Sequence, residues 1–339
     1  MKVTLVIPVF NEESTIASIL EELETYMNNY LKEELWEIIV VNDGSGDDTL
    51  NVLKEIEKTK KWLVVVDLIY NYGRGKALRT GLEKAQGEII VSLDADLSYA
   101  PYHVERLVNS LQEKNADIVL ASAYGVGGSV KNVPSKRLLL SKFGNMVLSY
   151  MFGENITVLT CLVRAYKNEF IQSIDLNSDD KEIHLEILYK AKMLGARIEE
   201  VPADLCWREN KLTRLTEAPK KRRSTLKVRK TSSSHLFFAL LSKPGLIFWV
   251  PALLLLLFSL FVSQIIISLI LSYMGDGVGL VDAIRLSMLN ATPSWFSAIV
   301  SFFLGIQFLT LGFLTSQNKR NHEEIYRTLN AIYSRLKKK

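Results

Sequence analysis

Two stretches of this chain carry no formally charged residue: Pro244 to Gly275, 32 residues, and Leu286 to Asn318, 33 residues. About 20 apolar residues in a helix cross the hydrocarbon core of a bilayer, so each stretch is long enough for one span. The alternative, a pair of buried helices in a soluble protein, fits poorly because LIFWVPALLLLLFSLFV is apolar on every face. The pattern predicts transmembrane helices over about residues 246–271 and 295–316 within a membrane domain of 244–318. Lys and Arg cluster before the first span and after the second, and the connecting loop sets only Arg285 against Asp276 and Asp282. By the positive-inside rule both termini are expected in the cytoplasm, with 319–339 as a basic cytoplasmic tail.

The remaining chain is long enough for one globular domain. It opens on MKVTLVIPVF, which reads as a strand and lacks the h-region and cleavage site of a signal peptide, so the first half is expected to stay in the cytoplasm. From residue 2 to about 122, short β-branched runs alternate with amphipathic stretches. Strands are predicted over Val3 to Val9, Glu37 to Val41, Leu63 to Ile69, Glu88 to Leu93 and Asp117 to Ala121. Helices are predicted to start near Glu13, Asp48, Gly75 and Pro101, where Asp, Ser or Pro supplies capping chemistry. Near-continuous apolar strands joined by helices imply a mainly parallel, Rossmann-like sheet buried on both faces. Ligands of such sheets bind beyond the carboxyl ends of the strands. Residues 123 to 215 are less regular, with helices expected from about Ser135 to Phe152 and around Lys181 to Leu194, on the acceptor side of one 1–215 domain.

Charge narrows the partners. The balance of 41 Lys and Arg against 37 Asp and Glu gives only +4, which does not point to nucleic acid. Seven Lys or Arg lie between Lys220 and Lys230, and HLFFALLSKP follows, so 216–243 reads as a basic, amphipathic linker lying in a membrane interface. Such a stretch serves as a topology signal or as an attraction to anionic headgroups. Cys161 and Cys206 form no Cys-x-x-Cys or Cys/His cluster, so neither a disulfide framework nor a zinc site is expected.

The strongest chemical signal is SLDADLS, residues 92–98. Two carboxylates spaced i, i+2 where a strand gives way to a loop can converge on one hard cation, Mg2+ or Mn2+, with the pyrophosphate of a sugar nucleotide completing its coordination. A lone pair of this kind is commonly just a solvated loop. Its context adds weight, because Pro8 to Glu12 and Asn42 to Ser45 end neighbouring strands at the same sheet edge. Asp43 is expected to accept from a base N–H and Glu12 from a base or ribose group, although Asp43-Gly-Ser also reads as an ordinary turn before a helix cap. Asn71 to Lys76, NYGRGK, opens a helix whose glycines would let backbone N–H groups approach phosphate. Neither a Walker loop nor a complete G-x-G-x-x-G is present.

The order IPVFNEE, VNDGSGDDT, NYGRGKALRTGLEKAQGEIIVSLDADLSYAP resembles the family-2 glycosyltransferases of the GT-A fold, in particular the dolichyl- and polyprenyl-phosphate sugar synthase branch. The resemblance covers residues 3 to about 105 closely, and NVPSKRLLLSKFGN, TCLVRAY, EEVPADLCWR and RRSTLKV extend it. It implies a GT-A catalytic domain followed by a two-helix transmembrane hairpin. It further implies that Pro8, Phe10, Glu12, Asp43 and Lys76 hold the nucleotide or donor and that Asp94 and Asp96, with Ser98, hold metal and diphosphate. Arg137, Ser141 and Arg164 are then acceptor-phosphate contacts, and Asp96 and Arg208 act at the reaction centre. The chain departs from the common pattern at Ala123, where relatives often carry Arg, and at Val158, where many carry Asp.

The expected reaction is metal-dependent, inverting transfer of one monosaccharide from a nucleotide sugar to polyprenyl phosphate. A phosphate monoester has a second pKa of about 6, so its dianion needs no general base. An alcohol acceptor would need one, and Asp179, Asp180, Glu182 and Glu186 are the acidic residues available. The alternatives are transfer to a hydroxyl of a glycolipid or polysaccharide, and a non-catalytic membrane scaffold. Expected partners are the nucleotide sugar, the lipid phosphate and membrane lipids, with no nucleic acid. Assembly into a homo-oligomer stays open. The expected location is an integral membrane protein, in the plasma membrane if the chain is prokaryotic.

Overall fold

The computed structural model describes residues 2–153, 156–208 and 244–337. The chain divides into two compact units, Met1–Ala239 together with Tyr326–Lys339, and Leu240–Ile325. The predicted linker, 216–243, lies outside the described residues.

In the first unit, apolar strands and amphipathic helices alternate as β1 (Val3–Val9), α1 (Ile16–Tyr30), β2 (Trp36–Asp43), α2 (Thr49–Thr59), β3 (Leu63–Leu68), α3 (Arg74–Lys84), β4 (Ile89–Ser92), α4 (His103–Glu113) and β5 (Ile118–Ser122). Every strand predicted by pattern is present, with ends within two residues. There follow β6 (Ser129–Lys131), α5 (Ser135–Phe152), β7 (Arg164–Lys167), α6 (Asn168–Gln172), α7 (Ile183–Met193), β8 (Ile198–Pro202) and β9 (Asp204–Cys206). The seven-stranded sheet has the order β3-β2-β1-β4-β7-β5-β8. Its pairings are parallel except around β7, which runs antiparallel to both β4 and β5.

Period-two alternation places the core on both faces. Val3, Leu5, Ile7 and Val9 pack with Leu20 and Leu23 of α1, Leu53 of α2 and Leu107 of α4. Val6, between them, joins Ala77, Leu78 and Leu82 of α3 on the opposite face. Each such buried aliphatic side chain contributes about 1.5–3 kcal/mol from apolar burial. The short strands β6 and β9 form a separate parallel ribbon, tied to the loop after β4 by a Tyr99–Leu205 bridge. Sequence pattern did not reveal them, since three residues carry no period.

The second unit contains α8 (Pro244–Gly275), α9 (Leu280–Asn290) and the start of α10 (Thr292–Lys337). Two helices, Ile247–Gly275 and Thr292–Ile332, are long and apolar enough to cross a membrane. Ser259 donates to the Ala298 carbonyl at 2.8 Å, and Gly305 and Gly312 lie against Leu256 and Trp249. Small residues at such crossings let helix backbones approach closely. The uncharged run from Leu286 is broken at Ala291, after which Pro293 stands in the first turn of a new helix, where its missing N–H costs nothing. The helix does not end with the apolar stretch. It continues to Lys337 through residues of high helical propensity, with Lys319 and Glu323 paired one turn apart at 3.6 Å.

Candidate active site

Beyond the carboxyl ends of β1, β2 and β4 lies a cleft of about 220 Å3 lined by Pro8, Val9, Phe10, Glu12, Asp43, Arg74, Asp94, Ala95 and Asp96. Six of these are residues the sequence pointed to. The loops that carry them are stitched together through short polar side chains. The backbone N–H of Asn11 donates to Ser45 Oγ at 2.9 Å, that of Gly46 to Asn11 Oδ1 at 2.9 Å, and that of Glu12 to Thr49 Oγ1 at 2.8 Å. Glu12 then accepts from the Thr15 hydroxyl at 2.6 Å, while its carbonyl receives the first N–H groups of α1.

Asp43 is only 4% exposed. It accepts the backbone N–H groups of Tyr72 at 2.9 Å and Gly73 at 3.0 Å, so it holds the loop that opens α3. Burial raises its pKa above the ordinary carboxylate value, against the two N–H groups that favour its charge, and nearby Asp180 adds to the rise. A base contact, if made, shares oxygens already engaged by this loop. Gly44, at φ +63°, is required here, because a Cβ would strike the backbone of Tyr70.

After β4, the Leu97 N–H donates to the Asp94 carbonyl at 3.1 Å and closes a tight turn that projects Asp94 and Asp96 into the cleft. Leu97 adopts φ +42°, which costs an L-residue roughly 1–2 kcal/mol, and its side chain is 2% exposed, so burial offsets that cost. Ser98 is itself buried and does not line the cleft. Its N–H donates to Asp96 Oδ1 at 2.9 Å, so its backbone helps to orient that carboxylate. Arg74, the first residue of α3, places Nη1 3.3 Å from Asp94. Arg74 is thus the cation that lines the cleft beside the carboxylate pair. Lys76, two residues on, does not line the cleft, and its backbone N–H is bonded to the Asp179 carbonyl. NYGRGK contained this residue, but the glycines and the lysine drew the reading.

Arg208 reaches the edge of this site from the far end of the unit. Its guanidinium forms a bidentate pair with Glu22 of α1, both contacts at 2.7 Å. Those hydrogen bonds, with help from the charge of Asp96, raise its pKa further. Arg137 stacks its guanidinium 5.2 Å from the ring of Trp207, next in sequence to Arg208. Ser141 accepts from the Tyr124 hydroxyl at 2.9 Å. Glu22, in the amphipathic run of α1, gave no local signal.

Arg164 is a correction. It is fully buried, and its Nη atoms donate to the carbonyls of His184 at 3.0 Å and Leu159 at 2.6 Å, so it braces the core and offers nothing to an acceptor. Antiparallel β7, which pattern did not foresee, carries it inward. Glu186 is likewise buried. Burial alone would raise its pKa, but Lys190 and the N–H groups of Asn177 and Ser178 hold it below the usual value, as a structural anion unsuited to act as a base. Cys161 is a buried thiol whose pKa burial pushes up to about 11, and neither cysteine is in a disulfide.

Two carboxylates are too few to enclose a metal, and among the described residues no group of three His, Cys, Asp or Glu is placed to hold one. Asp94 and Asp96 nonetheless supply the hard oxygen donors that Mg2+ or Mn2+ prefers, leaving positions for ligand oxygens. Glu12, Asp43, Asp94 and Asp96 against Arg74 also leave the lining negative, so a diphosphate needs a bound cation to settle there.

Comparison with known proteins identifies the family. An uncharacterized protein of Methanocaldococcus jannaschii is 32% identical over 63% of this chain and 86% of its own length. A dolichol-phosphate mannosyltransferase of Pyrococcus furiosus is 32% identical over 60% of this chain and 56% of its own, and an undecaprenyl-phosphate 4-deoxy-4-formamido-L-arabinose transferase of Pectobacterium carotovorum is 31% identical over 55% and 54%. The chain thus spans little more than half of these last two. Glucosyl-3-phosphoglycerate synthase of Mycobacterium tuberculosis, solved with Mn2+, UDP-glucose and phosphoglyceric acid, aligns with a TM-score of 0.51 at 20% identity over 71% of this chain and 79% of its own, a likeness of fold. The sequence profile described as Glycosyl transferase family 2 matches residues 4–174, half of the chain, and the protein, with a catalytic unit of GT-A fold, belongs to that family.

Proposed function

We propose that the protein transfers one monosaccharide from a nucleotide sugar to a polyprenyl phosphate at the cytoplasmic face of a membrane, with inversion, as a member of the polyprenyl-phosphate sugar synthase branch. The observation that carries this reading is the cleft in which Asp94 and Asp96 stand with Arg74 at the carboxyl ends of the parallel strands. The names of the two relatives with assigned activities, and the two helices apolar enough to cross a membrane, support the lipid acceptor.

Pro8, Phe10, Glu12 and Asp43 would receive the nucleoside, and the loop held by Asp43 would bring Arg74 to the diphosphate. Asp94 and Asp96 would hold Mg2+ or Mn2+, which when bound neutralises the departing diphosphate. Arg137 and Ser141 would orient the acceptor phosphate, whose dianion is nucleophilic at neutral pH, so alignment replaces proton abstraction. Arg208 would stabilise phosphate charge at the reaction centre.

The test supplies purified full-length protein with labelled nucleotide sugars, polyprenyl phosphate and Mg2+ or Mn2+. An acid-labile, lipid-linked sugar is expected, its formation lost on chelation, on omission of the lipid phosphate, and by about 1000-fold in Asp96→Ala. Turnover that survives Asp96→Ala or needs no lipid phosphate would overturn the reading. An acid-stable product would assign the acceptor to a hydroxyl.

A further inference from the structure

The helix that carries the second apolar stretch does not stop in the second unit. From Tyr326 onward α10 belongs to the catalytic unit, and two side chains at that point touch α7. The turn that closes α7 at Gly195, φ +73°, gives the carbonyls of Lys190, Ala191 and Lys192 to the N–H groups of Leu194, Ala196 and Gly195. The Met193 carbonyl is taken instead by Arg327, whose Nε donates to it at 2.5 Å, and a cation is favoured at this negative end of a helix. One residue earlier, Tyr326 presents its ring to Lys190, with Nζ 5.8 Å from the centroid. The Tyr326 hydroxyl is buried and meets no hydrogen-bond partner among the described residues, so the ring makes this contact.

Lys190 passes the contact on. Its ammonium pairs with Glu186 at 2.6 Å and donates to the Asp175 carbonyl, while Glu186 accepts the N–H groups of Asn177 at 2.9 Å and Ser178 at 2.8 Å. Helix α7 therefore grips the backbone of the loop before it. That loop in turn seats α3. The Asp179 carbonyl accepts the Lys76 N–H at 3.1 Å, the Asp179 carboxylate pairs with Arg79 at 2.8 Å, and a Cβ at Gly73 or Gly75 would strike the backbone of Asp179 or Asp180. The glycines of NYGRGK thus serve a close backbone contact within the protein. The same turn gives its Gly73 N–H to Asp43 and its Arg74 to the cleft. A run of short, mostly charge-assisted bonds links the end of α10 to the cleft.

We infer that Tyr326 and Arg327 are positioning residues of the cleft: the end of α10 clamps α7, and α7 holds the 175–180 loop that sets the turn carrying Arg74 and bonded to Asp43. Without the clamp, α7 loses the cation at its last carbonyl and Lys190 loses the ring beside it, so the loop is held less firmly. The inference deepens the donor role proposed for Asp43 and Arg74 and rests on that reading for its effect on donor binding, whereas the coupling between α10 and the turn is measured without it.

The experiment compares full-length protein in detergent as wild type, as Tyr326→Phe and as the double variant Tyr326→Ala with Arg327→Ala. Backbone hydrogen–deuterium exchange is followed in peptides covering 70–78 and 174–181, with 3–9 as the reference. The double variant is expected to speed exchange about 3- to 10-fold in the first two and to leave the third unchanged, while Tyr326→Phe, which keeps the ring, follows wild type. Binding of UDP and of GDP with Mn2+ is titrated on the same samples. Whichever diphosphate the wild type binds should be held about 3- to 10-fold less tightly by the double variant and as tightly as before by Tyr326→Phe. Unchanged exchange in 70–78 would overturn the inference. So would an equal rise in 3–9, which would mean a general loss of stability, and so would a Tyr326→Phe protein that behaves as the double variant does. Faster exchange in 70–78 with diphosphate affinity unchanged would reduce the contact to a structural one and overturn it too. Faster exchange in a protein that binds neither diphosphate in any form sinks the donor reading and leaves the clamp standing.

Discussion

The first half of the catalytic unit and its second half are built by different logics. From β1 to β4, each functional side chain sits within a few residues of a strand end and is fixed by neighbouring loops, as Asp43 is by Tyr72 and Gly73. From Tyr124 to Arg208, positions are set by contacts across long sequence distances. Glu200 of β8 accepts the N–H groups of Thr157 at 2.8 Å and Val158 at 3.0 Å and the Thr157 hydroxyl at 2.9 Å, and Thr157 in turn meets Ser122. His103 accepts the Asp204 N–H through Nε2 at 2.9 Å and, with Nδ1 against the Ala100 carbonyl, is held as the neutral Nδ1–H tautomer. Asp204 also accepts from Tyr102 at 2.8 Å and Ser129 at 2.5 Å. A parallel-sheet edge thus displays chemistry almost by default, while the second half reaches the same edge only through a web of polar clasps.

Three measurements would break or sharpen that contrast. The largest effect is expected at Arg208. Arg208→Ala should lower kcat by about 100-fold, about 2.7 kcal/mol, with donor KM changed far less. Glu22→Gln, which leaves Arg208 in place but loosens its bidentate hold, should lower kcat by roughly 10-fold, or about 1.4 kcal/mol. An unchanged kcat in Glu22→Gln would mean that α1 does not position the arginine.

A smaller effect is expected at Glu200. Glu200→Ala strands the N–H groups of Thr157 and Val158 and should destabilise the catalytic unit by about 2–3 kcal/mol, seen as a lowered Tm, while nucleotide binding by the folded protein is retained. Equal loss of donor binding and stability would erase the distinction between the two halves.

The smallest concerns His103. Burial holds its pKa below the ordinary histidine value. As pH falls through about 6.5 the unfolded chain takes up a proton that the folded imidazole refuses, so this group's contribution to stability declines with acidification. The decline ends once pH has passed the folded pKa, and its slope is at most about 1.4 kcal/mol per pH unit. In His103→Gln, whose side-chain oxygen can still accept the Asp204 N–H, this part of the Tm profile should flatten.

The same contrast explains what could be read before the fold was known. Val3 to Val9 and Glu37 to Val41 announced themselves because burial on both faces demands unbroken apolar runs, and SLDADLS stood out because a carboxylate pair at the end of such a run is chemically conspicuous. Arg164 misled because its motif position says nothing about the direction of β7, which pairs antiparallel on both sides and carries the guanidinium into the core. Arg74 and Lys76 were indistinguishable in a string, and only the start of α3 separates the residue that lines the cleft from the one that does not.

The sequence by itself determined the parallel sheet, the carboxylate pair at its edge and two helices apolar enough for a bilayer. Those depend on local chemistry, on which residues are apolar, at what period, and over what length. Tertiary structure alone decided that Glu22 holds Arg208, that the Ser98 backbone helps to orient Asp96, and that Glu200 and His103 clasp the second half of the unit. Such pairings join residues from 2 to 186 positions apart, and a hydrogen bond's partner is chosen by which backbones the packed core brings within about 3 Å, not by any period in the chain.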